Sequence, residues 1–162
     1  MPEGNVVNEL PRKLPIWPGA PGASSPRKHV LQRHGPDCAI AAAATITGFT
    51  YDEAASVAFS LRAEGLGGMR PPMIVKLLYR LSETPWRIEW LTRTRVRLAA
   101  TVFPDHLVLA CIASPWLRHH HAIVARERVI YDGSLETPVS PAEHPHKDWY
   151  PVWLLDAVLR RP

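Results

Sequence analysis

The chain has only two cysteines among its 162 residues, Cys38 and Cys111. That is too few for a small fold stapled by disulfides. It also lacks any apolar run of the roughly 20 residues that spanning a bilayer requires. Its opening, "MPEGNVVNELPRK", has no positive-then-apolar pattern of a secretory signal, so the expectations are a cytosolic location and no membrane partner. No internal repeat is visible, and neither sign of charge dominates. The 19 Lys and Arg against 15 Asp and Glu leave +4. Part of that excess sits in "WRIEWLTRTRVRL" and part in the terminal "RRP". No nucleic-acid motif accompanies either stretch, so both read as a solvated strand face and a charged tail.

What is present points to one globular domain. Apolar residues make up 46% of the chain, enough to bury a core at this length. Proline is concentrated at the front, with Pro2, Pro11, Pro15, Pro18, Pro21 and Pro26 in the first 27 residues. Residues 1–27 therefore read as an extended arm and residues 28–162 as the folded domain.

Within that domain the hydrophobic period changes once. "CAIAAAATIT", from Cys38 to about Thr47, is a strong helix former stopped by Gly48, and its apolar surface all round predicts central burial. "TYDE" reads as a capping box, with Thr50 the cap and Glu53 its partner, opening a helix to about Arg62. "EGLGGM" reads as a flexible loop. Pro71 and Pro72 suit the first turn of a third helix, with Met73, Val75, Leu77, Leu78 and Leu81 as its apolar face. After this helix the period drops to two. "WRIEWLT", "HLVLACIAS", "HAIVAR" and "VIYD" read as strands. The segment "DWYPVWLLDAVLRRP" is ambiguous, and Pro151 argues against a regular element running through it. Helices first and a mainly antiparallel sheet after them define an α+β class.

The two cysteines differ in setting. Cys111 lies inside an apolar strand, where a thiol behaves as a small hydrophobe. Cys38 follows the polar turn "HGPD" and opens a helix, where unpaired backbone N–H groups favour a thiolate. It is either a small residue starting a core helix or a nucleophile. A nucleophile needs a base, an orienter and oxyanion donors. Gln32, six residues earlier, can return its amide to the helix start. "HHHAIVAR" supplies histidines at the head of a strand, and "RVIYDGS" ends the next strand with Asp132. A tight turn at Arg126–Glu127 would set His121 opposite Asp132 on one face, with His120 pointing the other way. Asp132 can alternatively cap the turn before "GS".

The histidine run also invites a metal reading. Neighbours on a strand alternate in direction, so only His119 and His121 can share an ion, joined by His144 or His146. No cysteine pair or carboxylate cluster at a zinc spacing supports that, and no metal or cofactor is expected.

In order, "Q…DCAIAAAATITG" and "HAIVARERVIYDGS" resemble the papain-like cysteine peptidases, above all the bacteriocin-processing branch that cuts double-glycine leaders and its small stand-alone relatives. The likeness spans residues 30–135. It implies a papain-like fold, Cys38 as nucleophile, His121 as general acid and base, Asp132 as its orienter, Gln32 as oxyanion donor, and a peptide or protein substrate. The chain departs from that branch at Ala39, where the branch has glycine, and at Gly133, where it has proline. The expected activity is thiol-dependent hydrolysis of a peptide, isopeptide or related amide through an acyl-enzyme on Cys38. Acyl transfer and glutamine deamidation use the same triad. The alternative is a module that holds a peptide without cutting it. A nucleic-acid accessory role lacks stacking aromatics at a known spacing.

Overall fold

Among the described residues, alanine-rich and leucine-rich segments form three helices before any strand. The computed structural model describes residues 26, 28–34, 37–61, 69–91, 96–116 and 119–158. The expected arm, residues 1–27, apart from Pro26, and the "EGLGGM" loop apart from Met69 lie outside them. Helix α1 is Cys38–Thr47, buried from Ala39 onward as its composition predicts. Gly48 ends it at φ 82, a left-handed conformation that glycine takes without strain, and its N–H returns to Ala44 O at 2.9 Å. Helix α2 is Tyr51–Leu61. Its capping box is formed: Thr50 N–H donates to Glu53 Oε2 at 2.8 Å and Glu53 N–H to Thr50 Oγ1 at 3.2 Å. Helix α3 is Pro71–Ser82 and buries Ile74, Leu77, Leu78 and Leu81. Met73 and Val75, expected on its apolar face, flank that 3.6-period stripe and are only half-buried, while Ile74 takes the central place.

Five strands follow: β1 Trp86–Trp90, β2 Val108–Ala113, β3 His120–Arg126, β4 Val129–Tyr131 and β5 Tyr150–Ala157. They form one sheet in the order β1-β5-β2-β3-β4, each neighbour antiparallel. The helices pack on one face. Leu109, Cys111, Ala122, Val124, Trp153 and Leu155 join the helical core there. The alternate residues Val108, Ala110, Ile112, Ile123, Ala125 and Leu154 turn to the other face, where Leu98 and Phe103 cover them. No helix among the described residues is long and apolar enough to cross a membrane.

Two expectations are corrected. Strand β5 runs through Pro151, which the sequence reading held to interrupt any element. The reason lies in its neighbour: Cys111 pairs with Trp153 and Ile112 with Pro151, so the ladder bulges there. On its other side β5 pairs with β1 only from Trp153 onward. Proline is tolerated where a ladder is already broken. The second correction is the β3–β4 turn, which is Glu127–Arg128 and not Arg126–Glu127, since Arg126 pairs with Val129. The segment before β2 holds this turn: Glu127 N–H donates to Pro104 O at 2.8 Å and Phe103 N–H to Glu127 O at 2.8 Å. Glu127 accordingly sits at φ 52. Moving a turn by one residue moves every partner by two, which preserves the faces.

Candidate functional site

The start of α1 is shaped by a residue that declines to cap it. Asp37 occupies the N-cap position but makes no side-chain bond to the helix. Its carboxylate turns back and accepts from Arg33 N–H and His34 N–H, both at 3.0 Å, and from the Tyr51 hydroxyl at 2.5 Å. Burial, reinforced by the Asp37 bond, pushes the Tyr51 phenol up to about 12, so it remains a donor. The free first turn is thereby left to Cys38. Its half-buried sulfur accepts the Ala122 N–H from β3 at 3.4 Å. The His121 imidazole, on the residue before Ala122, is close enough to act on it. Burial alone would raise this thiol. The His121 bond and charge, the Ala122 N–H and the Ala39 N–H outweigh burial, and the pKa is lowered.

His121 stands at the head of β3, with Nε2 2.8 Å from each oxygen of Asp132. That leaves Nδ1 as the nitrogen available to the sulfur. Burial would lower the imidazole, but bonds to Asp132 and Cys38 and their charges raise it to about 9. Asp132 follows β4 and is fully buried. Burial opposes its charge, but the bonds from His121 and His144 hold it well below the usual carboxylate range. Asp132 also holds the turn that follows it: its Oδ1 accepts Ser134 N–H at 2.8 Å and Ser134 Oγ–H at 2.7 Å. His120 is exposed.

Gln32 is tied to the same turn. Its N–H donates to Gly133 O at 2.9 Å, and its side-chain Nε2 donates to His34 O at 3.4 Å. Its Oε1 is buried without a partner, so the amide is drawn into the loop and its second N–H is not used by the His34 bond. Gly133 is required by a close approach: a Cβ there would lie 2.9 Å from Ala41 Cβ and 3.1 Å from Gln32 N. Leu31, Gln32, Arg33, His34, Gly133, Ser134 and Glu136 line a cleft of about 430 Å³ at this point. A larger cleft of about 610 Å³, lined by Glu89, Val102, Phe103 and Pro151 among others, contains none of Cys38, His121 or Asp132.

The structure thus brings Cys38, His121 and Asp132 into one chain of contacts and sets Gln32 on the loop beside it. Of the four histidines weighed as metal ligands, His119, His121, His144 and His146, two, His121 and His144, turn Nε2 to one carboxylate. Cys111 is buried, and burial pushes its thiol up to about 12. Sequence reasoning missed Asp37, Tyr51 and Ser134. An acidic residue at the cap position directly before the cysteine was the available signal for Asp37. Comparison of the chain with protein-family models and with curated proteins finds no match.

Proposed function

We propose that the protein is a thiol-dependent hydrolase of the papain-like kind, cleaving a peptide, isopeptide or related amide bond through an acyl-enzyme on Cys38. The observation that carries this reading is Cys38 at a helix start without a side-chain cap, its sulfur 3.4 Å from the Ala122 N–H, with the neighbouring His121 held 2.8 Å from buried Asp132; the lowered thiol and raised imidazole agree with it. Lowering the thiol and raising the imidazole both favour a thiolate–imidazolium pair, the state in which sulfur attacks and nitrogen holds a proton to give. The sulfur adds to the carbonyl carbon. The resulting oxyanion takes the Cys38 N–H of the uncapped first turn and the second amide proton of Gln32 as donors. His121 gives its proton to the leaving nitrogen as the C–N bond breaks. Water, losing a proton to His121, then adds to the thioester and releases the acid with the thiol restored. The resemblance of "Q…DCAIAAAATITG" and "HAIVARERVIYDGS" to papain-like peptidases supports the same roles.

The test uses p-nitrophenyl acetate as a general acyl donor, with nitrophenolate release followed by absorbance and the adduct by intact mass. A burst of one equivalent with an acetyl group on Cys38 is expected, absent in Cys38→Ala and retained in Cys111→Ala. A burst that survives Cys38→Ala, or an adduct located elsewhere, sinks the reading.

A further inference from the structure

The Asp132 carboxylate is held from a second side. His144 follows the 3₁₀ turn Pro141–Glu143, which is locked by its own capping box between Ser140 and Glu143. The residue is 2% exposed, rare burial for so polar a ring. Its Nε2 lies 2.6 Å from Asp132 Oδ2, and its Nδ1 accepts the backbone N–H of His146 at 2.9 Å. A ring whose Nδ1 accepts carries its proton on Nε2, so the tautomer is set and His144 donates to Asp132.

We propose that His144 is a positioning residue of the Cys38 site, a second imidazole that fixes the Asp132 carboxylate in the orientation His121 requires. A carboxylate held by one imidazole turns freely about its Cβ–Cγ bond. Here Ser134 fixes Oδ1 by two donors and His144 fixes Oδ2. With both oxygens tied, the 2.8 Å contacts to His121 have one available geometry. The backbone adds to this, since Asp132 O accepts from His29 Nε2 at 2.8 Å. The remaining ring that faces the group is His146. It lies 5.6 Å from His144 and 6.1 Å from His121, and stacks on Trp149 at 3.9 Å. Burial lowers the His146 imidazole, so it adds no cation that would compete for Asp132 at neutral pH. The bond from His144 also contributes to keeping Asp132 in its charged form.

The consequence for turnover rests on the hydrolase reading, whereas the coupling of His144 to His121 through Asp132 is measurable without any substrate. Three variants of the full chain separate a donor from a filler. His144→Gln keeps an N–H near the Nε2 position, His144→Leu keeps bulk alone, and His144→Asn is polar but too short to reach Oδ2. Two readouts are taken: the His121 Nε2–H resonance by ¹⁵N-correlated NMR, and iodoacetamide labelling of Cys38 at pH 6. In the parent and in His144→Gln the resonance is expected downfield and protected from exchange, with labelling rates within about threefold of each other. In His144→Leu and His144→Asn the resonance should broaden into exchange and labelling fall about tenfold. Should His144→Leu fail to fold, His144→Asn against His144→Gln gives the same contrast. Unchanged behaviour in all three, or equal loss in all three, overturns the proposal. If Cys38 forms no acyl adduct while the NMR contrast holds, the hydrolase reading fails and the positioning role stands.

Discussion

The two cysteines are near neighbours in the fold and opposites in chemistry. Both feel burial, which by itself raises a thiol. Cys111 sits in mid-strand, with Ala122 and Trp153 opposite and apolar core on its side of the sheet, and burial carries it to about 12. Cys38 sits where a helix begins without a side-chain cap, and a strand end supplies both an imidazole and a backbone N–H. Its thiol moves the other way. The difference is therefore made by directed donors, not by solvent exposure. Position within an element decides it: mid-strand backbone groups are consumed by the ladder, while a helix start and a strand end have groups to spare.

The sharpest way to erase this contrast is to remove the imidazole. In His121→Ala the largest lowering influence on Cys38 is gone and burial is left in command. Iodoacetamide labelling of Cys38 at pH 6 should fall by more than about tenfold, toward the rate of Cys111, because the thiol's pKa rises. Peptide-resolved mass spectrometry measures both sites in one sample, so Cys111 serves as the internal reference. Labelling of Cys38 that stays fast without His121 would assign its reactivity to the helix start alone.

A pH series sharpens the comparison next. Cys38 should reach its full labelling rate at a lower pH than a free thiol, whereas Cys111 should gain reactivity only toward strongly alkaline pH. The ion pair also leaves a mark on stability. His121 is raised from 6.5 to about 9 on folding, so its contribution is complete below pH 6.5 and is lost as pH rises through 9. Asp132 is depressed on folding, so its contribution is present above 3.8 and is lost as pH falls below that through its folded value. Thermal melts of the parent should decline between pH 6.5 and 9, and that decline should be absent in His121→Ala. An equal decline in both would place the titrating group elsewhere.

The same contrast explains what the sequence made legible. The bounds of α1 are written locally: an alanine run, a cysteine after a polar turn, and a glycine stop. The pairing of His121 with Asp132 survived a misplaced turn, because a one-residue error there shifts partners by two and leaves the faces unchanged. What could not be read depends on distant partners. The turn is Glu127–Arg128 because Phe103 and Pro104 bond to it. Pro151 stays in a strand because β2 bulges opposite it. His144 reaches Asp132 through a 3₁₀ turn with no periodic pattern to announce it. Gln32 was placed near the helix start by its spacing, but the bond that draws its amide to His34 leaves no trace in spacing.

The smallest expected effect tests whether making the nucleophile and stabilising its adduct are separable. A Cβ added at Gly133 would press on Ala41 and on the backbone N of Gln32. In Gly133→Ala the overpacked contact should cost about 1–3 kcal/mol of stability, read from denaturant melts. Gln32 is displaced while the His121, Ala122 and Ala39 groups that act on the sulfur are left in place. Labelling of Cys38 should therefore remain close to that of the parent and well above Cys111. Under the role proposed for Gln32, acylation by p-nitrophenyl acetate should slow, because its amide no longer serves the oxyanion. Parallel loss of both rates would mean that the strain spreads through Ala41 into the head of α1, and that the sulfur and its loop act as one unit.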